Sequence, residues 1–400
     1  MPRGVGPGLS AVGLVIVAAL SYALLTGQLP TVTGGSGNGP IKTPTPSNVV
    51  VVDPRADVPG TLVYVKDGNL WLQSGATARQ LTTGGQDAMP TWSADGQWIY
   101  FIRTTAAIGR WPANGQVRTY GLDVPALVRI HPDGTGLATL LSGRVKSGSL
   151  TWQSFIRQPF PSPDGKRVVV VTDHPQPWLG DVVLKILNLQ TGALVNPKLA
   201  EFAPLGHQDP AWSPDGRSIA YVKDGRAGTR GTPTIERYDL ASGKVAAITG
   251  PGYLSPAWSP DARYLAATKS GSFGTDVVIL DARTGAELLR VTNDQASFDP
   301  VWSPAGDAVA FFRVDHGVVD LELVQLTGTA PNWTVGASLA LTVSAGLDAA
   351  SRPSWFIPPS QMPTPGPSAP SSAPPFPTLS APTSGPASSP TNGSPGASAP

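Results

Sequence analysis

The chain has 400 residues, with 28 Lys and Arg against 27 Asp and Glu for a net charge of +1, and it contains 45 Gly, 43 Pro and no Cys. So balanced a charge gives no overall field to attract nucleic acid or anionic lipid, so binding must come from a local patch, and no nucleic-acid partner is expected. The missing cysteines exclude disulfides, a thiolate nucleophile, Cys-ligated zinc and a lipid-modified N-terminal cysteine, while the Gly and Pro load favours turns over helices.

Residues 9–25, LSAVGLVIVAALSYALL, are uncharged and mostly apolar. Seventeen such residues are marginal for a bilayer span and long for a signal-peptide core. Residues 1–29 are therefore expected to be an export element: either an uncleaved single-pass anchor with its N-terminus inside, or a signal peptide cleaved near Ser21-Tyr22-Ala23 to release an extracytoplasmic protein. Residues 30–48 read as a flexible linker. VVVVD at 49–53 is strand-like and competes for a place in whatever sheet follows. At the other end, 357–400 carry no charged residue. Such a segment cannot bury a core, and it is expected to be a disordered, partly polyproline-like tail, or a wall-spanning stalk.

Between these ends, 49–356, one phrase recurs. It reads MPTWSADGQWIYFI from Met89, QPFPSPDGKRVVVV from Gln158, DPAWSPDGRSIAYV from Asp209, SPAWSPDARYLAAT from Ser255 and DPVWSPAGDAVAFF from Asp299, and a clipped copy, SRPSWF, ends at Phe356. The anchoring aromatics Trp92, Phe160, Trp212, Trp258, Trp302 and Trp355 stand 68, 52, 46, 44 and 53 residues apart. A β-rich period in the forties is the spacing of a propeller blade.

One repeat shows why. Ala211-Trp212 reads as a short strand, and Ser213-Pro214-Asp215-Gly216 as a turn in which Pro presets φ and Gly takes the left-handed conformation. SIAYV, TIERYDL and VAAIT then supply three more strands. Four antiparallel strands cannot cover both their faces alone, and radial stacking against neighbours does so. The count closes at six. TLVYVKDGNLWLQSGATARQLT opens the chain's first blade at its second strand, and RPSWF ends the chain as a first strand, so the two fragments share one blade. The expected fold is an all-β, six-bladed propeller of four-stranded antiparallel blades.

The W-S-P-D-G…I-A phrase, in several copies over about 60–356, resembles the TolB-type, WD40-like propeller repeat (PD40). TolB proteins carry an α/β domain before the propeller, whereas here a linker stands in that place. The resemblance implies a protein-interaction role, or the gating domain of a serine peptidase.

No catalytic machinery is expected. G-x-S-x-G is absent, the four histidines (His131, His174, His207, His316) are scattered without H-E-x-x-H spacing, and no phosphate loop occurs, so neither an enzyme, a metal nor a cofactor is predicted. The turn residues Asp95, Asp164, Asp215 and Asp261 repeat with the blades, as scaffold residues do. Strand alternation puts the tight turns on one face and every long insertion on the other: 104–125, 144–157, 173–180 and 223–233. These insertions carry Arg110, Trp111, Arg118, Tyr120, Trp152, Phe155, His174, Trp178, Arg226 and Arg230, the residue types that dominate interface hot spots. His207, Asp209 and Asp299 are candidates to line the channel mouth on that same face. The expected function is a non-catalytic envelope module binding a protein. The alternative is recognition of a glycan or small ligand at the channel mouth, with an unrecognised hydrolase behind it.

Overall fold

The structure is a computed structural model that describes residues 53–178, 181–197, 199, 206–224 and 233–363. The apolar segment 9–25, the linker, the strand-like 49–52, the tail beyond 363, Arg226 and Arg230 lie outside the described residues.

The tight turns set the blades. Ser213 Oγ donates to Asp215 (2.6 Å) and accepts the Ser218 N–H (2.9 Å), while Asp215 also accepts the Arg217 N–H (3.0 Å). Gly216 sits at φ 72°, which costs a residue without Cβ nothing. The same Ser–Asp pair closes Ser93–Asp95, Ser162–Asp164 and Ser259–Asp261, so these aspartates are indeed scaffold.

Chain order gives the blades. The first holds β1 (Thr61–Lys66), β2 (Asn69–Ser74) and β3 (Thr77–Gln80); the second, β4 (Asp87–Trp92), β5 (Ile99–Ala113), β6 (Gln116–Ile130) and β7 (Ala138–Ser142). A hairpin, β8 (Arg144–Ser147) and β9 (Leu150–Gln153), leads to the third blade, β10 (Ile156–Pro161), β11 (Arg167–Thr172), β12 (Val183–Asn188) and β13 (Leu194–Val195). The fourth is β14 (His207–Trp212), β15 (Ser218–Lys223), β16 (Thr234–Asp239) and β17 (Val245–Ala247). The fifth is β18 (Tyr253–Trp258), β19 (Tyr264–Ser270), β20 (Thr275–Asp281) and β21 (Glu287–Arg290). The sixth is β22 (Ser297–Trp302), β23 (Ala308–Asp315), β24 (Val318–Thr329) and β25 (Asn332–Ala340), and β26 (Ser354–Phe356) returns to the first blade. That sheet runs β26-β1-β2-β3, so the shared blade forms as expected.

Each core cluster draws on two adjacent blades. Trp212 packs with Val169, Val171 and Tyr221; Trp92 with Val63 and Phe101; Trp302 with Ile279 and Phe311. At the clasp, Trp355 lies opposite Leu62, packs with Phe312 and Leu323, and donates its Nε1–H to Pro59 O (3.0 Å). Closure continues past 356. Ile357 is buried in the same cluster and Gln361 Oε1 accepts the Gly60 N–H (2.7 Å), so the folded part extends a few residues into what the sequence assigned to the tail.

Two insertions are ordered as strands. The segment 104–125, expected as a loop, extends β5 and β6 to fifteen residues each, paired from Ile99↔Ile130 to Ala113↔Gln116. On the opposite, tight-turn side the β24–β25 hairpin lays Trp333 against Tyr264 (4.8 Å between ring centroids) and Trp302 (5.9 Å).

Two predictions test this architecture. Deleting 352–400 removes β26 and Trp355, and should cost several kcal/mol or prevent folding, since truncating a buried Trp alone costs about 3–5 kcal/mol. Deleting 364–400 should leave Tm unchanged, and equal melting of the two truncations would refute the clasp. In the fifth repeat Ala262 occupies the turn position where the other copies have Gly, at φ 59°. Ala262→Gly should raise stability by about 0.5–1 kcal/mol in denaturant titration, by relieving a left-handed backbone that Cβ disfavours.

Candidate functional site

The β5–β6 arm adds about 30 Å of strand at roughly 3.3 Å per residue, and it lies against the third blade, where its Trp111 meets Trp178. Its tip is Asn114-Gly115, both at positive φ (52° and 76°), the signature of a tight hairpin turn. The β8–β9 hairpin, from the linker between the second and third blades, leans on it through Arg110↔Thr151. Together they make a small sheet whose residues alternate between two faces.

One face is aromatic. Trp111, Trp152 and Trp178 form a triangle with ring centroids 5.5, 5.0 and 5.0 Å apart. Trp152 is 8% exposed and donates its Nε1–H to Pro175 O (3.0 Å). The sequence placed it on an interaction surface, but it is the core of this cap, because the hairpin that carries it folds back on the third blade. Trp111 is partly covered, whereas Trp178 is 50% and Phe155 57% exposed. Arg110, Arg118 and Tyr120 are exposed too, and Ile108 on the arm is 61% exposed. Five of the predicted binding residues are thus exposed on the cap around a buried Trp152, with Arg110 beside Ile108 on the opposite face of the sheet from the Trp triangle.

The cap is pinned to the third blade by polar contacts. Phe155 N–H donates to Asp173 (2.7 Å), Thr172 Oγ1 donates to Phe155 O (2.5 Å), and Ser154 Oγ lies 2.9 Å from His174 Nδ1. A Ser–His pair at that distance is the geometry of a nucleophile and its base, but Ser154 is 1% exposed and held inside the fold. Burial, with the nearby Lys185 charge, holds the His174 imidazole below its ordinary pKa, and burial raises the Asp173 carboxyl.

The channel mouth is a second candidate. Met89, Gln158, Asp209, Ser255 and Asp299 each precede a Pro, each has φ between 50° and 55°, and each lies at a register shift in the first strand of its blade. Left-handed residues other than Gly are uncommon, so five at equivalent places form a built feature, the bulge that turns these side chains toward their neighbours. The repeat "x-Pro-(Ala/Val/Thr)-Trp" was the available signal, read above only as the start of a strand.

These side chains bond around the ring. Gln158 N–H donates to Met89 Sδ (3.2 Å), Asp209 N–H to Gln158 Oε1 (3.0 Å), and Ser255 N–H to Asp209 Oδ2 (3.2 Å). Gln158 Nε2 donates to Asp209 Oδ1 (2.6 Å), and Met89 N–H to Ser351 Oγ (3.0 Å). The Arg352 guanidinium reaches Pro256 O (3.0 Å), Ser255 O (3.4 Å) and Pro300 O (3.4 Å), joining the first blade to the fifth and sixth. Ser255 Oγ is 2.5 Å from Asp299 and 3.3 Å from Asp209. One hydroxyl hydrogen cannot serve both carboxylates. A proton kept on Asp299 lets it donate to Ser255, whose own hydrogen then goes to Asp209. Burial accordingly pushes Asp299 up to about 6, against the pull of Arg352. Asp224, buried at the end of β15, is pushed to about 7 by burial and then by the Asp209 charge, although Gln208 donates to it (2.8 Å).

Asp209 and Asp299, both predicted at the mouth, are thus brought together through Ser255. His207 is not with them. It is fully buried at the contact of the third and fourth blades, with Nδ1 3.3 Å from Leu184 N and its ring edge-on to Tyr221 (5.0 Å). It is held between the blades by that hydrogen bond and by Tyr221.

A family model described as the TolB beta propeller domain (PD40) matches residues 137–338, just over half of the chain. The chain belongs to that family. This TolB-type propeller is 28% identical over 159 residues to an uncharacterized protein, Atu1656, of Agrobacterium fabrum, a match covering 38% of this chain and 45% of that one. Among solved structures it is similar to TolB from Acinetobacter baumannii (TM-score 0.54, 18% identity, 74% of this chain and 66% of that chain). It is also similar to a putative TolB from Agrobacterium tumefaciens (TM-score 0.51, 18% identity, 74% and 98%). The chain therefore spans about half of the curated relative and just under two thirds of the Acinetobacter protein. At these identities the structural likeness speaks for the fold. Among the described residues no helix is long and apolar enough to cross a membrane.

The raised carboxyls make a pH prediction. An unfolded Asp titrates near 4, so between about pH 4 and 7 the native TolB-type propeller holds protons that the unfolded chain has released, and stability falls as pH rises. Asp224→Asn should flatten the decline of Tm between pH 5 and 8. Parallel Tm profiles for wild type and variant would mean that Asp224 titrates like an exposed aspartate.

Proposed function

We propose that this chain is a non-catalytic protein-interaction module of the cell envelope, held outside the cytoplasm by its N-terminal apolar segment and binding a protein through the cap on its second and third blades. One observation carries the reading. Insertions from two adjacent blades converge on the long-loop side of the ring and leave Phe155, Trp178 and Tyr120 exposed there, with Ile108 and Arg110 exposed on the other face of the same small sheet. A rigid scaffold that presents aromatic and Arg side chains on such a projection has the composition of an interface. β1 begins and β26 ends at the tight-turn end of the shared blade, on the side of the ring opposite the cap.

The channel mouth, where a glycan or small ligand would enter, spends Gln158, Asp209 and Ser255 on one another, which argues against that reading. The buried Ser154–His174 pair argues in the same way against a hydrolase.

The immobilised propeller should capture an envelope protein that is lost on replacing Phe155 and Trp178 together with Ala, each true hot spot weakening binding by ~2 kcal/mol. Circular dichroism and Tm should stay at wild-type values, and Val195→Ala, an exposed site on the outer strand of the third blade, should capture normally. Undiminished capture by the double variant would remove the cap from the interface.

A further inference from the structure

We infer that the cap receives its partner as an added β-strand, an extended acidic peptide segment docking along the free edge of β8. This inference rests on the cap being the interaction face and names the chemistry of what binds there.

The edge is open. The sheet ends at β8 in the order β7-β6-β5-β9-β8. Gly148-Ser149 is a two-residue turn flanked by the pair Ser147↔Leu150, with Gly148 at φ 57°. In such a hairpin the flanking pair is hydrogen-bonded and the pairs alternate, so Ser147 and Val145 bond to β9 while the backbone groups of Lys146 and the Arg144 carbonyl point outward. The Arg144 N–H is taken by Ser142 Oγ (3.1 Å). Among the described residues no backbone partner meets Lys146 on its outer side.

The charge beside the edge is of one sign. Residues 104–125 and 143–155 contain four cations, Arg110, Arg118, Arg144 and Lys146, against one carboxylate, Asp123, which pairs with Ala106 nearer the blade and away from β8. All four cations are exposed, and among the described residues none forms a salt bridge, although Arg103, Lys223, Lys269, Arg290 and Arg313 elsewhere all do. Cross-strand partners share a face, so Lys146, Thr151, Arg110 and Thr119 form one row. Arg144 is on that face as well, opposite the Trp triangle. Lysine and arginine on a short edge strand discourage self-association. They also select an incoming strand with a carboxylate at every second residue, because its acidic side chains would fall on the row of Arg144, Lys146 and Arg110. A lipid headgroup plane could use these cations but not the sideways-pointing backbone groups of Lys146, and this favours a peptide.

The test uses the full chain and a fluorescent octapeptide of four Glu-Val repeats, with binding read by anisotropy. Binding should weaken at least fivefold between 50 and 300 mM salt, order-of-magnitude behaviour for a surface charge contact. Lys146→Gln, which removes the charge alone, should weaken it about threefold, and Lys146→Pro, which also removes the outward N–H, at least tenfold. N-methylation of alternate peptide amides should abolish binding without any change to the protein. Equal losses in the Gln and Pro variants, with binding retained by the methylated peptide, would show charge attraction without strand addition and overturn the inference. So would binding to phosphatidylglycerol vesicles with none to the peptide, or binding to neither. If Phe155 and Trp178 prove necessary for partner capture while Lys146→Pro captures normally, only the strand-addition inference fails. If neither substitution matters, the interaction face itself is wrong.

Discussion

The constraint on which this structure depends is that no blade can cover both its own faces. In β11, Val169 and Val171 belong to the cluster around Trp212, while Val168 and Val170 belong to the cluster around Tyr100. In β1, Val63 and Val65 pack toward the second blade, and Leu62 and Tyr64 toward the sixth. Every inner strand is thus apolar on two sides, and both must meet a neighbour. Only a closed ring achieves this for all blades at once. Closure falls on the three residues of β26, on Ile357 and Gln361 beyond them, and on Arg352 reaching across the channel. This small segment carries a disproportionate part of the stability because the alternative is two exposed apolar faces.

A closed ring also decides where variation is tolerated. The blade interiors cannot accept length changes without opening a cavity. The linkers and second-to-third strand connections can, since they leave the ring at its face. The 68-residue interval between Trp92 and Phe160 is one blade plus the β5–β6 extension and the β8–β9 hairpin. The channel is less free. Its left-handed residues before Pro aim side chains at the next blade, so polar groups there complete the ring before they can serve a ligand.

The ring was legible in the sequence because its causes are local. Ser-Pro-Asp-Gly and its close variants specify a turn by φ values and by hydrogen bonds between residues two to five apart, and repetition announces it five times. Even the shared blade followed from counting strands. The cap was harder to read. Gly109, Pro112 and Pro125 look like loop punctuation, and fifteen-residue strands are long for a blade, yet Asn114-Gly115 between alternating residues was a hairpin signal that outweighs them. Whether Trp152 or Trp178 faces water depends on how two hairpins far apart in the chain lean together, and no local pattern encodes that. His207 was misplaced for a related reason: it begins β14 in the contact between blades, and only the bulge two residues later, at Asp209, turns side chains toward the channel.

Charge separation on the long-loop face follows from these placements. The cap carries Arg110, Arg118, Arg144 and Lys146, while Asp209, Asp224 and Asp299 gather at the channel mouth, so the net charge of +1 hides two regions of opposite sign. Asp224 and Asp299, both pushed up by burial, release their protons later than exposed aspartates and so present less negative charge to solvent than their number suggests. If the cap is the interaction face, a partner meets its exposed cations before the carboxylates buried in the ring. For an acidic partner, such a layout favours orientation by charge ahead of docking through backbone and aromatic groups.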